Sequence, residues 1–309
     1  MKIVVTGGAG FIGSNLCHAL AERTAHDVIA VDDLSTGFRE NLGDARVELR
    51  EGSYADADLM DEACAGAGAI VHLGARGSVP KSVADPVATH ERNASGTIAV
   101  LEAARRLGKP HVVVASSSSV YGANPELPKH EGMATRPVSP YGASKLATEW
   151  YAMAYQHSYG LPVLALRFFN VYGPRQPAAH DYAAVMPAFI RSALDDVPLT
   201  VYGDGEQTRD FTHVTTVCDV IIESIEGRVT HDIPVNLAFG TQISLLEIIA
   251  LLRDITGRPC EVDHVSPRPG DVRHTRADPT LLMSLFPDLQ PVDFRPGLEQ
   301  LVAWWREQA

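Results

Sequence analysis

A phenol and an ammonium stand four residues apart in Ser139-Pro140-Tyr141-Gly142-Ala143-Ser144-Lys145. Proline is well tolerated in a first helical turn, and Ala143 to Trp150 reads as helix after it. Positions i and i+4 share one helix face, so Tyr141 and Lys145 can point into the same space. An ammonium there would favour the phenolate, pull the tyrosine below its usual pKa of about 10 and make it a general base. The competing reading is an amphipathic helix with a half-buried tyrosine and a solvated lysine, and taken alone the pair favours it.

Two other stretches bear on the choice. Lys2 to Thr6 is a short β-branched run ending in Gly7-Gly8-Ala9-Gly10-Phe11-Ile12-Gly13, after which Ser14 to Glu22 looks helical. Strand, glycine turn and helix form the context of a phosphate-binding loop, in which Gly7, Gly10 and Gly13 would let a pyrophosphate approach the helix N-terminus. A plain strand-to-helix turn is the alternative. The next apolar run, Val28 to Val31, ends at Asp32-Asp33, about 20 residues past the last glycine, where an acid can bind adenosine ribose hydroxyls and disfavour a 2′-phosphate. That reads as NAD rather than NADP. Asp33 could equally be a turn residue, so Asp32 carries the assignment. Further on, Val112 to Ser116 runs into Ser117-Ser118-Ser119-Val120-Tyr121-Gly122. Serine clusters often serve turns, but with Tyr141 and Lys145 about 25 residues downstream a Ser117-Tyr141-Lys145 set explains them better.

These groups need a scaffold that brings strand ends together. Strands are expected at 46–50, 69–73, 112–116 and 164–169, and helices around 57–65, 88–107 and 141–158, which is the alternation of a parallel sheet covered by helices on both faces. Active residues in such a sheet lie past the carboxyl ends of strands. Beyond about residue 175 the pattern loosens: a helix over 186–195, a short strand Leu199 to Tyr202, a turn at Gly203-Asp204-Gly205, then Thr208-Arg209-Asp210-Phe211 and helices over 217–226 and 245–255. Two arginine-bearing, proline-rich loops, 174–177 and 267–274, could clamp a diphosphate or simply make surface salt bridges. The expected division is 1–174 and 175–309, with some of the later chain returning to the sheet.

The composition narrows the function classes. A net charge of −12 over 309 residues argues against non-specific nucleic-acid binding and anionic membrane surfaces. Cys17, Cys64, Cys218 and Cys260 form no CxxC pair, so neither a zinc site nor a disulfide framework is expected. With no signal segment before the first apolar run and no run of 18 apolar residues, a cytoplasmic protein is expected.

Together the glycine loop, Asp32, the serine-bearing end of the fifth strand and Tyr141-x-x-x-Lys145 resemble the extended short-chain dehydrogenase/reductases that act on nucleotide sugars, in particular the UDP-hexose 4-epimerases. Further matching blocks are Ser78-Val79-Pro80 with Ser82-Val83, Arg167 to Pro174, Gly203-Asp204-Gly205 with Arg209-Asp210-Phe211, and Arg268 to Arg273. The resemblance spans the whole chain. It implies a Rossmann-type doubly wound parallel sheet with a smaller, mixed C-terminal substrate-binding domain, bound NAD, and a homodimer.

The resemblance also implies roles. Tyr141 would take the proton of a sugar 4-hydroxyl, Ser117 would hydrogen-bond the same oxygen, and Lys145 would hold the nicotinamide ribose while hydride leaves C4 and returns to its other face. Gly7, Gly10, Phe11, Ile12, Gly13, Asp32, Asp33, Leu73, Lys145 and Phe168 would contact NAD. Asn170, Arg209 and Arg268 would grip the diphosphate, with Thr200 and Tyr202 along the uracil. Relatives that dehydrate or decarboxylate place an acid just after the catalytic serine or threonine. Here Ser118 and Ser119 stand there, which favours epimerisation of UDP-glucose and UDP-galactose. The small Thr275 leaves room for an N-acetyl group, so the N-acetylated pair is a further candidate. UDP-glucuronate epimerisation, dehydration or decarboxylation, and a catalytically silent NAD-binding scaffold are the alternatives. Two departures stand out: Ser53 replaces an acid that contacts adenine, and Gly77 replaces a lysine near the cofactor phosphates.

Overall fold

The computed structural model describes residues 1–177, 185–267 and 272–308. Six strands arrive in the expected alternation with helices: β1 (Lys2–Thr6), β2 (Asp27–Asp32), β3 (Val47–Glu51), β4 (Ala67–His72), β5 (His111–Ser117) and β6 (Val163–Phe168). Four short strands lie outside that sheet, β7 (Asn170–Tyr172), β8 (Leu199–Tyr202), β9 (Thr208–Arg209) and β10 (Phe211–His213), before β11 (Val235–Leu237) returns to it beside β6. The last two are β12 (Ile243–Ser244) and β13 (Val262–Val265). The seven-stranded sheet is parallel throughout, in the order β11-β6-β5-β4-β1-β2-β3.

Alternation along each strand feeds two separate cores, because successive side chains leave opposite faces of a sheet. Ile3, Val5, Val28, Ala30, Val71, Val113 and Leu164 join the core on one face, with Val217 and Ile221 of the helix Val214–Glu226. Val4, Ile29, Val31, Ile70, Val112 and Val163 join the other, with Leu101 of the helix Gly96–Arg106 and Ala152 of the helix Pro140–Tyr159. A third core gathers Met186, Phe189, Leu199, Val201, Phe211, Ile248 and Leu298.

The helix expected over 88–107 is instead Pro86–His90 and Gly96–Arg106, joined by a wide π-helical turn, Glu91–Ser95. Such bulges concentrate at functional sites. Here the turn contains Asn93, whose side-chain oxygen accepts the Arg76 N–H at 2.7 Å while its amide donates to Ser144 Oγ at 2.9 Å. The helix Phe294–Glu307 goes unannounced in the sequence because Pro296-Gly297 reads as a turn, although proline is tolerated near a helix start. Among the described residues, no helix is long and apolar enough to cross a membrane.

Candidate active site

Ser139 caps the helix Pro140–Tyr159, its hydroxyl accepting the Gly142 N–H at 3.0 Å. A Cβ on Gly142 would lie 2.7 Å from the Ser119 carbonyl oxygen, so glycine lets this helix close onto the turn after β5. Ser82, fully buried, accepts the Tyr141 N–H at 3.1 Å and holds the start of the helix from the other side. Ser117, Tyr141 and Lys145 thereby meet at the carboxyl end of β5. A hydrogen bond joins the Ser117 and Tyr141 side chains, the Ser117 and Ser119 hydroxyls lie 3.1 Å apart, and Lys145 Nζ donates to the Ala115 carbonyl at 2.8 Å.

The expected lowering of the Tyr141 pKa by Lys145 does not occur in this structure. Burial raises the phenol above its ordinary value, and the opposing influence is the bond with Ser117. Lys145 spends its ammonium on a backbone carbonyl of β5 instead. Burial draws that ammonium down to about 8, against the pull of Glu149. On the far side, His72 is pushed down to about 3 by burial and then by Lys145. Its ring is spoken for, with Thr6 Oγ1 at 2.7 Å and Thr97 Oγ1 at 3.2 Å.

A buried polar network backs the helix Pro140–Tyr159. Glu149, one turn beyond Lys145, accepts from Ser116 Oγ at 2.5 Å and from Arg167 Nε and Nη2 at 2.8 and 2.9 Å. Arg167 also donates to Tyr121 Oη at 2.9 Å, and Tyr121 donates to Asn236 Oδ1 at 2.6 Å. Glu149 and Arg167 are 1% and 3% exposed, so each depends on the other for its charge. The network ties Ser116, the neighbour of Ser117, to Arg167, the neighbour of Phe168.

Two strands along, at the carboxyl end of β1, the glycine loop lies where a dinucleotide would need it. Gly7 has φ +70°, and a Cβ there would sit 2.8 Å from Gly74; one on Gly13 would sit 2.0 Å from the Gly7 oxygen. Gly10 begins the helix Phe11–Arg23 and no side chain caps it, so the first-turn N–H groups of Phe11, Ile12 and Gly13 face no capping side chain. Asp32, 7% exposed at the end of β2, accepts Ala9 N–H on Oδ2 and Leu34 N–H on Oδ1, both at 2.9 Å, and keeps further lone pairs for ribose hydroxyls. Burial raises its carboxyl against those backbone bonds. Asp33 does serve a turn, accepting Ser35 N–H at 3.0 Å, and it also pairs with Arg92. Leu73 follows β4 directly, half-buried, and Phe168 ends β6, 8% exposed. Ser53 serves its own turn, its hydroxyl accepting the Ala55 N–H at 3.2 Å and its carbonyl the Asp56 N–H at 2.9 Å, and Gly77 lies in open space.

Asn170, Thr200, Tyr202 and Arg209 line one cleft of about 420 Å³ together with Gln176, Met186, Phe189, Gln207 and Phe211. Asn170 donates to the Asp210 carbonyl at 3.1 Å and reaches Thr275 Oγ1 at 3.4 Å. Arg209 Nη1 donates to the Thr208 carbonyl at 2.9 Å and to the Arg273 carbonyl at 3.2 Å. Of the two arginine loops, Arg175 reaches Asn15 at 3.2 Å, and Arg273 makes the surface salt bridges with Asp204 (2.7 Å) and Glu206 (3.3 Å). Arg268 lies outside the described residues. The aromatic and aliphatic liners were not legible as site residues, since Met186 and Phe189 are spaced like the buried face of any helix. Asn93 carries no signal in the sequence, Glu149 signals itself only as a glutamate one turn past Lys145, and Ser82 enters only as part of a matching block, without its contact to Tyr141.

Residues 3–238 match the model of the NAD-dependent epimerase/dehydratase family. Over 316 residues the chain is 35% identical to a UDP-glucose 4-epimerase of Mycolicibacterium smegmatis, covering all of both chains. It is 32% identical to a dTDP-glucose 4,6-dehydratase of Streptomyces niveus, over 99% of this chain and 93% of that one. A solved UDP-N-acetylglucosamine 4-epimerase from Methanobrevibacter ruminantium, in complex with UDP-N-acetylmuramic acid, superimposes with a TM-score of 0.94 at 34% identity, covering 100% of this chain and 99% of that one.

Proposed function

The chain belongs to the NAD-dependent epimerase/dehydratase family, and on that premise we propose that it inverts C4 of a UDP-hexose, interconverting UDP-glucose and UDP-galactose through a transient 4-keto sugar. NAD, when bound, supplies the acceptor and the donor of the hydride. Its pyrophosphate belongs at the start of the helix Phe11–Arg23 and its adenosine ribose at Asp32. Tyr141 takes the proton of the 4-hydroxyl and later returns it, while Ser117, already bonded to Tyr141, steadies the same oxygen. The raised pKa of the phenol calls for a positive charge during the reaction, which Lys145 supplies on turning from the Ala115 carbonyl toward the phenol. Asn170, Arg209 and, from the resemblance alone, Arg268 hold the diphosphate. Thr200, Tyr202 and the apolar wall of Met186 and Phe189 receive the base.

The observation that carries this reading is that Ser118 and Ser119, not an acid, follow Ser117 at the end of β5, with the Ser119 hydroxyl 3.1 Å from that of Ser117. Dehydration needs a group there that can protonate a leaving hydroxyl, and serine is too weak an acid for it. Thr275, half-buried beside Asn170, supports use of the N-acetylated pair as well. We place the working enzyme as a homodimer, which sedimentation of the purified protein would check. The decisive assay supplies UDP-galactose, separates the two epimers chromatographically because their masses are identical, and weighs the product by mass spectrometry. UDP-glucose of unchanged mass is expected. A product lighter by water, by carbon dioxide from UDP-glucuronate, or a steady build-up of NADH would replace this reading with dehydration, decarboxylation or net oxidation.

A further inference from the structure

Asp33 and Arg92 lie 59 residues apart in sequence and join the end of β2 to the π-helical turn beyond β4. Asp33 is set from its own side. Its Oδ1 accepts both the N–H of Ser35, at 3.0 Å, and the Ser35 hydroxyl, at 2.5 Å, which leaves Oδ2 facing the Arg92 guanidinium. Burial would raise the Asp33 carboxyl, yet the bonds from Ser35 and Arg92 outweigh it and hold the group below its ordinary range.

Arg92 is set from its side too. The Tyr54 hydroxyl donates to its carbonyl at 2.9 Å, and the Tyr54 ring fills the space that a Cβ on Gly74 or Gly96 would take. Tyr54, Gly74 and Asp33 follow β3, β4 and β2, so Arg92 reaches back over the strand ends flanking Asp32, where the adenosine half of the dinucleotide is expected. Its side chain is still 41% exposed.

A guanidinium beside the ribose-binding acid of such a sheet is the group that accommodates a 2′-phosphate, since its fork matches phosphate oxygens in bidentate fashion. A chain selective for NAD therefore carries an apparent contradiction at this point. We propose that the Asp33–Arg92 pair is a cofactor-selecting lock, in which Asp33 occupies the arginine that would otherwise receive the 2′-phosphate of NADP. Selection for NAD then rests on two carboxylates with different tasks. Asp32 faces the ribose hydroxyls and opposes added negative charge, while Asp33 removes the one nearby cation the structure shows paired to it.

Dissociation constants of the full-length protein for NAD and for NADP, measured by titration calorimetry without sugar, test this directly. Asp33→Asn removes the charge but keeps an oxygen for the Ser35 turn; Asp33→Ser serves if that variant does not fold. Either should raise affinity for NADP relative to NAD by about tenfold, the scale of one charge-assisted hydrogen bond. Arg92→Met alone should move the ratio by less than about twofold, and added to Asp33→Asn it should abolish the gain. An unchanged ratio in the Asp33 variants, or a gain that survives Arg92→Met, would overturn the proposal. Because the readout is dinucleotide binding, it stands or falls separately from the sugar chemistry.

Discussion

The two ends of the site are assembled by different means. The proposed cofactor and catalytic end uses the carboxyl ends of adjacent parallel strands: the register puts Thr6, Val31, His72 and Val114 in one row, with Gly7, Asp32 and Leu73 one residue beyond it and Ser117 three residues beyond. The cleft proposed for the nucleotide has no such ruler. It is drawn from β7, β8, β9 and the helix Val185–Asp195, and its polar walls meet across long sequence distances: Asn170 reaches Asp210 at a separation of 40 residues and Thr275 at 105. What holds those segments is a fully buried carboxylate, Asp210, which accepts from Ala277 N at 2.8 Å, Gly240 N at 3.0 Å and Thr241 Oγ1 at 2.9 Å. A site built on a sheet edge resists displacement, whereas one built on returning loops can be retuned segment by segment.

That contrast predicts which quantity each change will move. Tyr141→Phe should lower kcat by about 10²–10⁴-fold, as loss of a general base does, with UDP affinity and bound NAD unchanged. Steady-state kinetics with titration of UDP would check it, and a matching loss of UDP affinity would blur the division between the two ends. Glu149→Gln should cost about 3–5 kcal/mol of stability because it leaves Arg167 charged and unpaired in the core. Urea unfolding should show Glu149→Leu with Arg167→Met to be less damaging than the single change.

In the cleft, Arg209→Met should weaken UDP binding by about 1.5–3 kcal/mol, the range for a hydrogen bond to a charged group, while the NAD content of the purified protein stays at the wild-type level. Calorimetry and dinucleotide extraction read both. The smallest effect is a slope. His72 and His213 are held below their ordinary value, at about 3 and about 4, by burial. Their contribution to stability is present above about pH 6.5 and is lost as pH falls through those values, because the unfolded chain binds the protons first. His72→Gln should therefore flatten the pH dependence of unfolding between pH 6.5 and about 3 by up to about 1.4 kcal/mol per pH unit.

What the sequence discloses follows the same division. The glycine loop, Asp32 and Ser117 are legible because each sits at a strand end that local periodicity marks. Tyr141 and Lys145 are legible as a pair, but their electrostatics are not: spacing shows a shared face and says nothing of Lys145 turning to the Ala115 carbonyl. Ser82 and Asn93 act on residues 59 and 51 positions away, and no local pattern reports such contacts. Asn170, Thr200, Tyr202 and Arg209 are reached through the resemblance, and the cleft gathers all four. The break in the helix at Glu91–Ser95 escapes periodicity because one extra residue in a turn barely disturbs an apolar stripe.

The central claim is that Ser117, Tyr141 and Lys145 serve a hydride that leaves and returns to the same carbon. UDP-galactose carrying deuterium at C4, incubated with the purified protein in ordinary water, tests it most directly. UDP-glucose that keeps the deuterium at C4, with no NADH accumulating, is the predicted result. Loss of the label to solvent, its appearance elsewhere in the sugar, or no conversion while NAD is bound would contradict the account.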